Sequence, residues 1–254
     1  MAAPVNRLRE IWAAGRPAAN AWLSLPGLLN AEVVVKGGWD SVTVDLQHGM
    51  AEPVEMLRML APIHAAGAVP MVRVPWNDPA AVMRALDAGA LGVICPMIET
   101  GEEAAAFVAN CLYPPKGKRS WGPLRANLMW GPGYSDAAND IVVPWAMVET
   151  SKAMANLDAI LATPGLGGIY IGPSDLSISH GFKPGLDRQE PEMLERIETI
   201  LATATAKGLP VGIQCATPDY ARGMAERGMR LLTIGNDAGF LQAGATAAVQ
   251  AFRT

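Results

Sequence analysis

Eight short apolar runs, separated by longer amphipathic stretches, constrain this chain more than any other feature of it. They fall at 20–24, 41–46, 69–74, 92–97, 142–148, 168–172, 210–214 and 231–235. Most are continuous rather than alternating, which suits strands buried on both faces of a parallel sheet. The intervals read as helices. Residues 53–66 begin with a proline suited to a first helical turn and stop before Gly67. Residues 78–88 open on Asp-Pro, a cap followed by a first-turn residue. Further helices are expected at 102–111, 152–162, 192–207, 218–227 and 238–252, with Gly208 and Gly228 as stops. The N-terminal stretch and residues 27–36 supply two more. Strands alternating with helices predict an α/β fold with a parallel sheet. Gly165-Leu166-Gly167-Gly168 precedes a strand, whereas a dinucleotide fingerprint would follow one. A (β/α)8 barrel is therefore expected, as one domain over residues 1–254, close to the roughly 250 residues usual for that fold.

Composition narrows the function. Only 17% of residues are charged and the net charge is −4, with no basic footprint for nucleic acid. No segment reaches the length of about 18 apolar residues that a membrane span needs. The opening MAAPVNRLREIWAAGRP lacks the apolar core of a secretory signal. Cys95, Cys111 and Cys215 have neither zinc spacing nor the look of a disulfide framework, and are expected to be buried thiols in a cytoplasmic protein. The interval 113–140, rich in Pro, Gly and Trp, breaks the rhythm and is expected to be a long irregular segment. Such segments serve function or a subunit contact, and both readings stay open.

Position makes certain polar residues informative, because barrels of this kind carry their sites at the C-terminal ends of the strands. Asp45 and His48 end the second run, Arg73 the third and Glu149 the fifth, while Asp175 follows the sixth. Adjacent strands lie about 4.8 Å apart. Carboxylates at Glu149 and Asp175, roughly 5 Å apart, would repel by about 3 kcal/mol at an effective dielectric near 20. A shared proton or a hard divalent cation would relieve that. The alternative is that each carboxylate caps the following helix. Gly172-Pro173-Ser174-Asp175 forms a strand-to-helix turn in which the amides of Ser174 and Asp175 can meet a carboxylate, or simply an ordinary tight turn. Arg73, inside an apolar run, either binds an anionic substrate oxygen or pairs with Asp45 or Asp87. His48 directly follows a strand, where a histidine can act as general base, with Asp87 as a partner that would orient it. His64 lies on an amphipathic helix and reads as a core-edge residue; His180, near Asp175, is a weaker site candidate. None of the six lysines ends a predicted strand, which disfavours Schiff-base catalysis and leaves a metal as the electron sink.

Taken together, Val44-Asp45-Leu46-Gln47-His48-Gly49, Val72-Arg73-Val74-Pro75-Trp76-Asn77-Asp78-Pro79, Tyr113-Pro114-Pro115, Val148-Glu149-Thr150 and Tyr170-Ile171-Gly172-Pro173-Ser174-Asp175-Leu176-Ser177 resemble the HpcH/HpaI aldolase family, from about residue 20 onward. The resemblance implies a metal-dependent class II pyruvate-type aldolase. Such an enzyme cleaves or forms 4-hydroxy-2-oxo acids, from pyruvate or hydroxypyruvate plus an aldehyde, through a metal-stabilised enolate. It implies Glu149 and Asp175 as ligands of Mg2+ or Mn2+, with Co2+ as a further possibility. It implies Arg73 on the 2-oxo acid and its enolate, His48 as base with Asp87 as its acidic partner, and Gly172, Ser174 and Asp175 in the carboxylate-binding turn. Trp22 would line the pocket. It also implies a homohexamer, a trimer of dimers, that exchanges the last helix, here 238–252. Gln47 and Met147 depart from relatives that carry Glu and Gln there. Two rivals share the barrel logic: an acyl-CoA lyase of the citrate lyase β type, with Lys116, Lys118, Arg119 and Arg125 as candidate phosphate contacts, and a decarboxylase of oxaloacetate-like acids. A non-catalytic binding barrel is the rival from another class.

Overall fold

The computed structural model describes residues 4–254. All eight apolar runs form strands: β1 Ala18–Leu23, β2 Ser41–Asp45, β3 Val69–Arg73, β4 Gly92–Cys95, β5 Val143–Val148, β6 Gly168–Ile171, β7 Val211–Cys215 and β8 Leu231–Ile234. Each pairs in parallel with the next, and β8 returns to β1, so the sheet closes as a barrel in sequence order. The expected (β/α)8 architecture is the one observed. Closure removes every sheet edge, which suits strands whose side chains are buried on both faces.

The helices follow in chain order: α1 Arg7–Ala13, α2 Leu28–Val35, α3 Pro53–Ala65, α4 Pro79–Asp87, α5 Gly101–Cys111, α6 Leu124–Trp130, α7 Tyr134–Ile141, α8 Ser151–Ala155, α9 Leu157–Leu161, α10 Pro173–Ser179, α11 Pro191–Ala206, α12 Pro218–Glu226 and α13 Asp237–Arg253. Their starts are written locally. Asp78 accepts from the Ala81 amide at 2.8 Å, and Thr100 with Glu103 forms a reciprocal capping box on α5. Gly208 and Gly228 end α11 and α12 in the left-handed region, at φ 74° and 113°.

Two expectations need correction. Residues 113–140 are not an irregular loop, because α6 and α7 occupy much of them. The segment is pinned by Asn139, whose side chain accepts from the Tyr113 amide at 2.7 Å and donates to its carbonyl at 3.1 Å. Residues 152–162 are not one helix. They break at Asn156, which leaves helical geometry between α8 and α9 and donates its side-chain amide to the Glu99 carbonyl at 2.9 Å.

One apolar layer packs between the strands and the outer helices. A second fills the barrel and its N-terminal mouth, where α1 lies as a plug: Leu8 and Ile11 pack with Val69, Met71, Leu91 and Trp145. Between this plug and the C-terminal mouth runs a polar lattice. Asn20 accepts from Ser41 at 2.8 Å and Thr43 at 3.1 Å, and donates to Thr233 at 2.8 Å; Tyr170 donates to Thr233 at 2.6 Å. The helix expected at 238–252 is present as α13, yet Asp237 is its only buried residue and Phe252 is 90% exposed. All three cysteines are buried and free, as expected. Among the described residues no helix is long and apolar enough to cross a membrane.

The plug gives a stability test. Leu8→Ala empties a fully buried position, so the unfolding free energy from chemical denaturation should fall by about 2–5 kcal/mol.

Candidate functional site

The C-terminal ends of the strands enclose a cavity of about 250 Å³, whose walls include Trp22, Asp45, His48, Arg73, Glu149 and Asp175. β2 and β3 thus deliver Asp45 and Arg73, the turns after β2 and β5 deliver His48 and Glu149, and the first turn of α10 delivers Asp175.

Asp45 is its structural centre. β2 and β3 set Asp45 directly opposite Arg73 in register. Arg73 Nε donates to Asp45 Oδ1 at 2.8 Å and Arg73 Nη2 to Oδ2 at 2.6 Å, a bidentate pair. Trp22 Nε1 also donates to Asp45 Oδ2, at 3.3 Å, and the Arg73 guanidinium lies 4.7 Å from the Trp22 ring centroid. Burial works against the Asp45 carboxylate, but the hydrogen bonds and charge of Arg73 outweigh it and hold the acid below its ordinary range. Of the alternatives for Arg73, the ion pair with Asp45 is therefore present. It does not withdraw the arginine from the cavity, because Nη1 takes no part in it.

His48 stands on the turn after β2, exposed at the cavity rim. The turn is tight: a Cβ on Gly49 would lie 2.2 Å from the Asp45 carbonyl oxygen. The Gln47 amide donates to Asp45 Oδ1 at 3.0 Å, which fixes the turn to the same carboxylate. The structure does not bring Asp87 to His48. Asp87 closes α4, whose C-terminus approaches the opposite mouth of the barrel, and accepts from the buried Arg119 at 2.6 Å. The expected His48–Asp87 pairing is thus not formed within the chain. Among the described residues the His48 side chain has no hydrogen-bond partner. His64 packs edge-on against Trp130 at 4.3 Å, away from the cavity, and burial lowers its pKa from the ordinary value. His180 Nδ1 lies 2.9 Å from the Leu176 carbonyl at the end of α10 and does not line the cavity.

Glu149 is 2% exposed. It does not cap the following helix, since Thr150 does so by accepting from Ala153 at 3.0 Å. Glu149 Oε1 accepts from the Met97 amide at 2.7 Å, and no protein group donates to Oε2. Burial pushes its carboxyl up to about 7; the Met97 amide and Arg73 act against the rise and Asp175 adds to it. Asp175 lies in the first turn of α10, behind Gly172 and Pro173. Gly172 leaves the space that Oε2 occupies, for a Cβ there would lie 2.2 Å from that oxygen. The Ser174 and Asp175 amides sit in the first turn, where no intrahelical acceptor exists.

The donor set fits a hard divalent cation. Two carboxylates line the cavity, near enough for Asp175 to oppose the ionisation of Glu149, and Glu149 is buried with an oxygen that lacks any donor. Among the described residues no three His, Cys, Asp or Glu side chains gather as a cage, so a cation here would keep open positions for water or substrate.

Sequence reasoning missed Gln214, Tyr170 and Asn236 as wall residues. Gln214 was visible as a lone amide at the end of an apolar run, by the same positional rule that found Arg73. Met97 gave no signal. It is the one non-glycine residue at positive φ among those described, 57°, and that backbone turn aims its amide at Glu149.

Residues 21–243 match the family model described as HpcH/HpaI aldolase/citrate lyase. The chain is 40% identical over 241 residues to a hydroxypyruvate/pyruvate aldolase of Rhizorhabdus wittichii, covering 95% of this chain and 96% of that protein. It is 34% identical over 250 residues to a 4-hydroxy-2-oxo-heptane-1,7-dioate aldolase of Salmonella dublin, covering 97% of this chain and 94% of that one. A solved HpcH/HpaI aldolase/citrate lyase family protein from Burkholderia cenocepacia matches with a TM-score of 0.90 at 31% identity, over 98% of this chain and 100% of the other.

Two outcomes test the cation fit. The raised Glu149 pKa means that folding favours its neutral form. That contribution is complete below the ordinary value of 4.5 and is lost as pH rises through about 7. A cation offsets the charge, so Mg2+ or Mn2+ should raise the melting temperature more at pH 8 than at pH 5.5. Equal shifts at both pH values would contradict the fit. Gly172→Ala should move the flexible end of Glu149 rather than the fold, weakening cation affinity about 10–100-fold in calorimetry with little change in far-UV circular dichroism.

Proposed function

Because the chain belongs to the HpcH/HpaI aldolase/citrate lyase family, we propose that it is a carbon–carbon lyase that cleaves or forms 4-hydroxy-2-oxo acids, with pyruvate or hydroxypyruvate and an aldehyde as the partners. The observation that carries the reading is one small cavity holding an anchored guanidinium opposite a buried, half-satisfied carboxylate. A divalent cation held by Glu149 and Asp175, Mg2+ or Mn2+ and secondarily Co2+, supplies Lewis acidity toward the 2-oxo acid.

The residues divide the remaining work. Arg73 presents Nη1 to the 2-oxo oxygen, where negative charge develops as the C3–C4 bond breaks. Its Asp45 anchor fixes that donor before substrate arrives, so no reorganisation accompanies the reaction. The Ser174 and Asp175 amides receive the substrate carboxylate beside Gly172. Trp22 closes the wall beneath Arg73 and excludes water. His48, exposed and unpartnered at the rim, takes the proton of the C4 hydroxyl during cleavage and returns it during synthesis. Asp87 has no part in this within one chain, because Arg119 holds it.

The CoA reading finds little support. None of Lys116, Lys118, Arg119 and Arg125 lines the cavity; Arg119 is buried on Asp87, and Lys116 pairs with Asp140 at 2.9 Å. The exposed α13 supports helix exchange between copies and a homohexamer, to be checked by sedimentation mass. The three buried, free thiols support a cytoplasmic setting. Residues 1–254 are read as one domain.

Pyruvate release from a 4-hydroxy-2-oxo acid, followed by a coupled dehydrogenase, tests the activity. Turnover should vanish in EDTA and return with Mn2+; full turnover in chelator would overturn the cation's role. Arg73→Ala should lower kcat by about 10²–10³, and Arg73→Lys should recover little, because a point charge cannot keep the bidentate anchor on Asp45.

A further inference from the structure

A second cavity lies at the opposite mouth of the barrel, against the N-terminal ends of β5 to β8. At about 1020 Å³ it is much larger than the one at the C-terminal mouth, at about 250 Å³. Nothing in the proposed reaction uses it. Its charge is one-sided: Arg9, Lys116, Arg227 and Arg230 line it, and Asp140 is the only acid in its walls.

Two of these cations are already answered. Lys116 pairs with Asp140 at 2.9 Å, and Arg227 pairs with Glu198. Arg9 and Arg230 are not, since no carboxylate lies within ion-pair distance of either among the described residues. Their acceptors are backbone carbonyls. Arg9 Nη2 donates to Val142 at 3.2 Å and Arg230 Nη1 to Gly15 at 3.1 Å, contacts that orient a guanidinium without neutralising it. Partial burial lowers the pKa of Arg9 below its ordinary value, against the pull of Asp140, while the residue stays open to solvent.

The frame is rigid. Leu8 and Ile11 anchor α1 in the barrel mouth, and Trp12 Nε1 donates to the Arg230 carbonyl at 2.8 Å. A helix anchored by its two buried residues and one strand entry therefore place both arginines in the wall of the same cavity. Two guanidinia in the wall of one roomy cavity, neither in an ion pair, keep N–H donors of the kind that bind oxyanions.

We propose that this cavity binds a small phosphate-bearing anion through Arg9 and Arg230, with Lys116 and Arg227 at its edge. The site is separate from the one that holds Glu149 and Arg73.

The test is calorimetric titration of the full chain with inorganic phosphate and with glycerol phosphate, at ionic strength matched by NaCl. Saturable binding is expected in the wild type and in Arg73→Ala, and about tenfold or weaker binding in the double variant Arg9→Gln/Arg230→Gln, whose aldol turnover should stay at the wild-type level. Tighter glycerol phosphate would identify a phosphate ester as the ligand, and tighter inorganic phosphate the free anion. Equal binding by the double variant, loss of binding in Arg73→Ala, or a response matched by NaCl alone would overturn the proposal. Should the double variant not fold, Arg9→Gln alone decides, because Arg9 is exposed on α1; unchanged affinity there would overturn the site.

Discussion

Asp45 and Arg73 face each other across β2 and β3, and most of the C-terminal mouth is organised by that pair. Taking two charges out of water costs several kcal/mol per ion, so the pair is weak evidence for stability. Its consequence is positional. Asp45 accepts from Arg73 twice, from the Trp22 indole and from the Gln47 amide. One carboxylate thereby fixes the guanidinium, the aromatic wall and the turn that presents His48. The turn can follow so closely only because residue 49 has no side chain. Removing one member would leave the other buried without its counter-charge, a loss of about 3–5 kcal/mol in comparable pairs. The cavity and the local fold therefore depend on the same two side chains.

Glu149 stands in the opposite condition. It is as deeply buried as Asp45, but its single donor is the Met97 amide, and Asp175 opposes its ionisation. With all groups ionised, three carboxylates and one guanidinium leave the cavity two negative charges in excess. One divalent cation cancels that excess, and among the described residues the cavity wall holds no lysine and no second arginine. The strained backbone of Met97 belongs to the same logic. Its loop is tied down from both sides: Glu103 accepts from the Glu99 amide at 2.7 Å, and Lys152 donates to Glu99 at 2.9 Å. Neighbouring structure thus holds a turn that the residue itself would not choose, and the turn holds Glu149.

The barrel was legible because strands buried on both faces must be apolar throughout, a pattern nothing else in a chain of this length imitates so regularly. Arg73, Glu149 and Asp45 were legible because polar residues at the ends of such runs have few reasons to be there. What failed was whatever depends on tertiary placement. α6 and α7 lie among Gly, Pro and Trp residues that read locally as loop, and they form because packing on the barrel supplies the missing stabilisation. Asp87 sits at the far end of a helix that begins beside the site, so short sequence separation from Arg73 carried no nearness. Gln214 answered the positional rule but was overlooked, and Met97 obeyed no rule of sequence at all.

The two mouths of the barrel impose different demands on their polar groups. At the C-terminal mouth the anionic residues stand on strand ends and the turns behind them, and the one cation is locked by two hydrogen bonds to a neighbour. At the N-terminal mouth the apolar face of α1 seals the interior, and Arg9 and Arg230 beside it donate to backbone oxygens. Between them the Asn20, Thr233 and Tyr170 lattice crosses the interior, and Gln214 extends it to the cavity wall, its Oε1 lying 3.1 Å from the Tyr170 hydroxyl. A buried lattice with its members paired resists distortion, since each broken bond leaves an unsatisfied group in a dry interior. Tyr170 belongs to that lattice and also packs at a tilt against Trp22, with ring centroids 5.8 Å apart, so the floor beneath Arg73 is held by the barrel rather than by the loops around it. His48 is the exception, exposed on a turn with no side-chain partner. In the proposed reaction the fixed floor would stabilise charge, and the exposed imidazole at the rim would carry the proton.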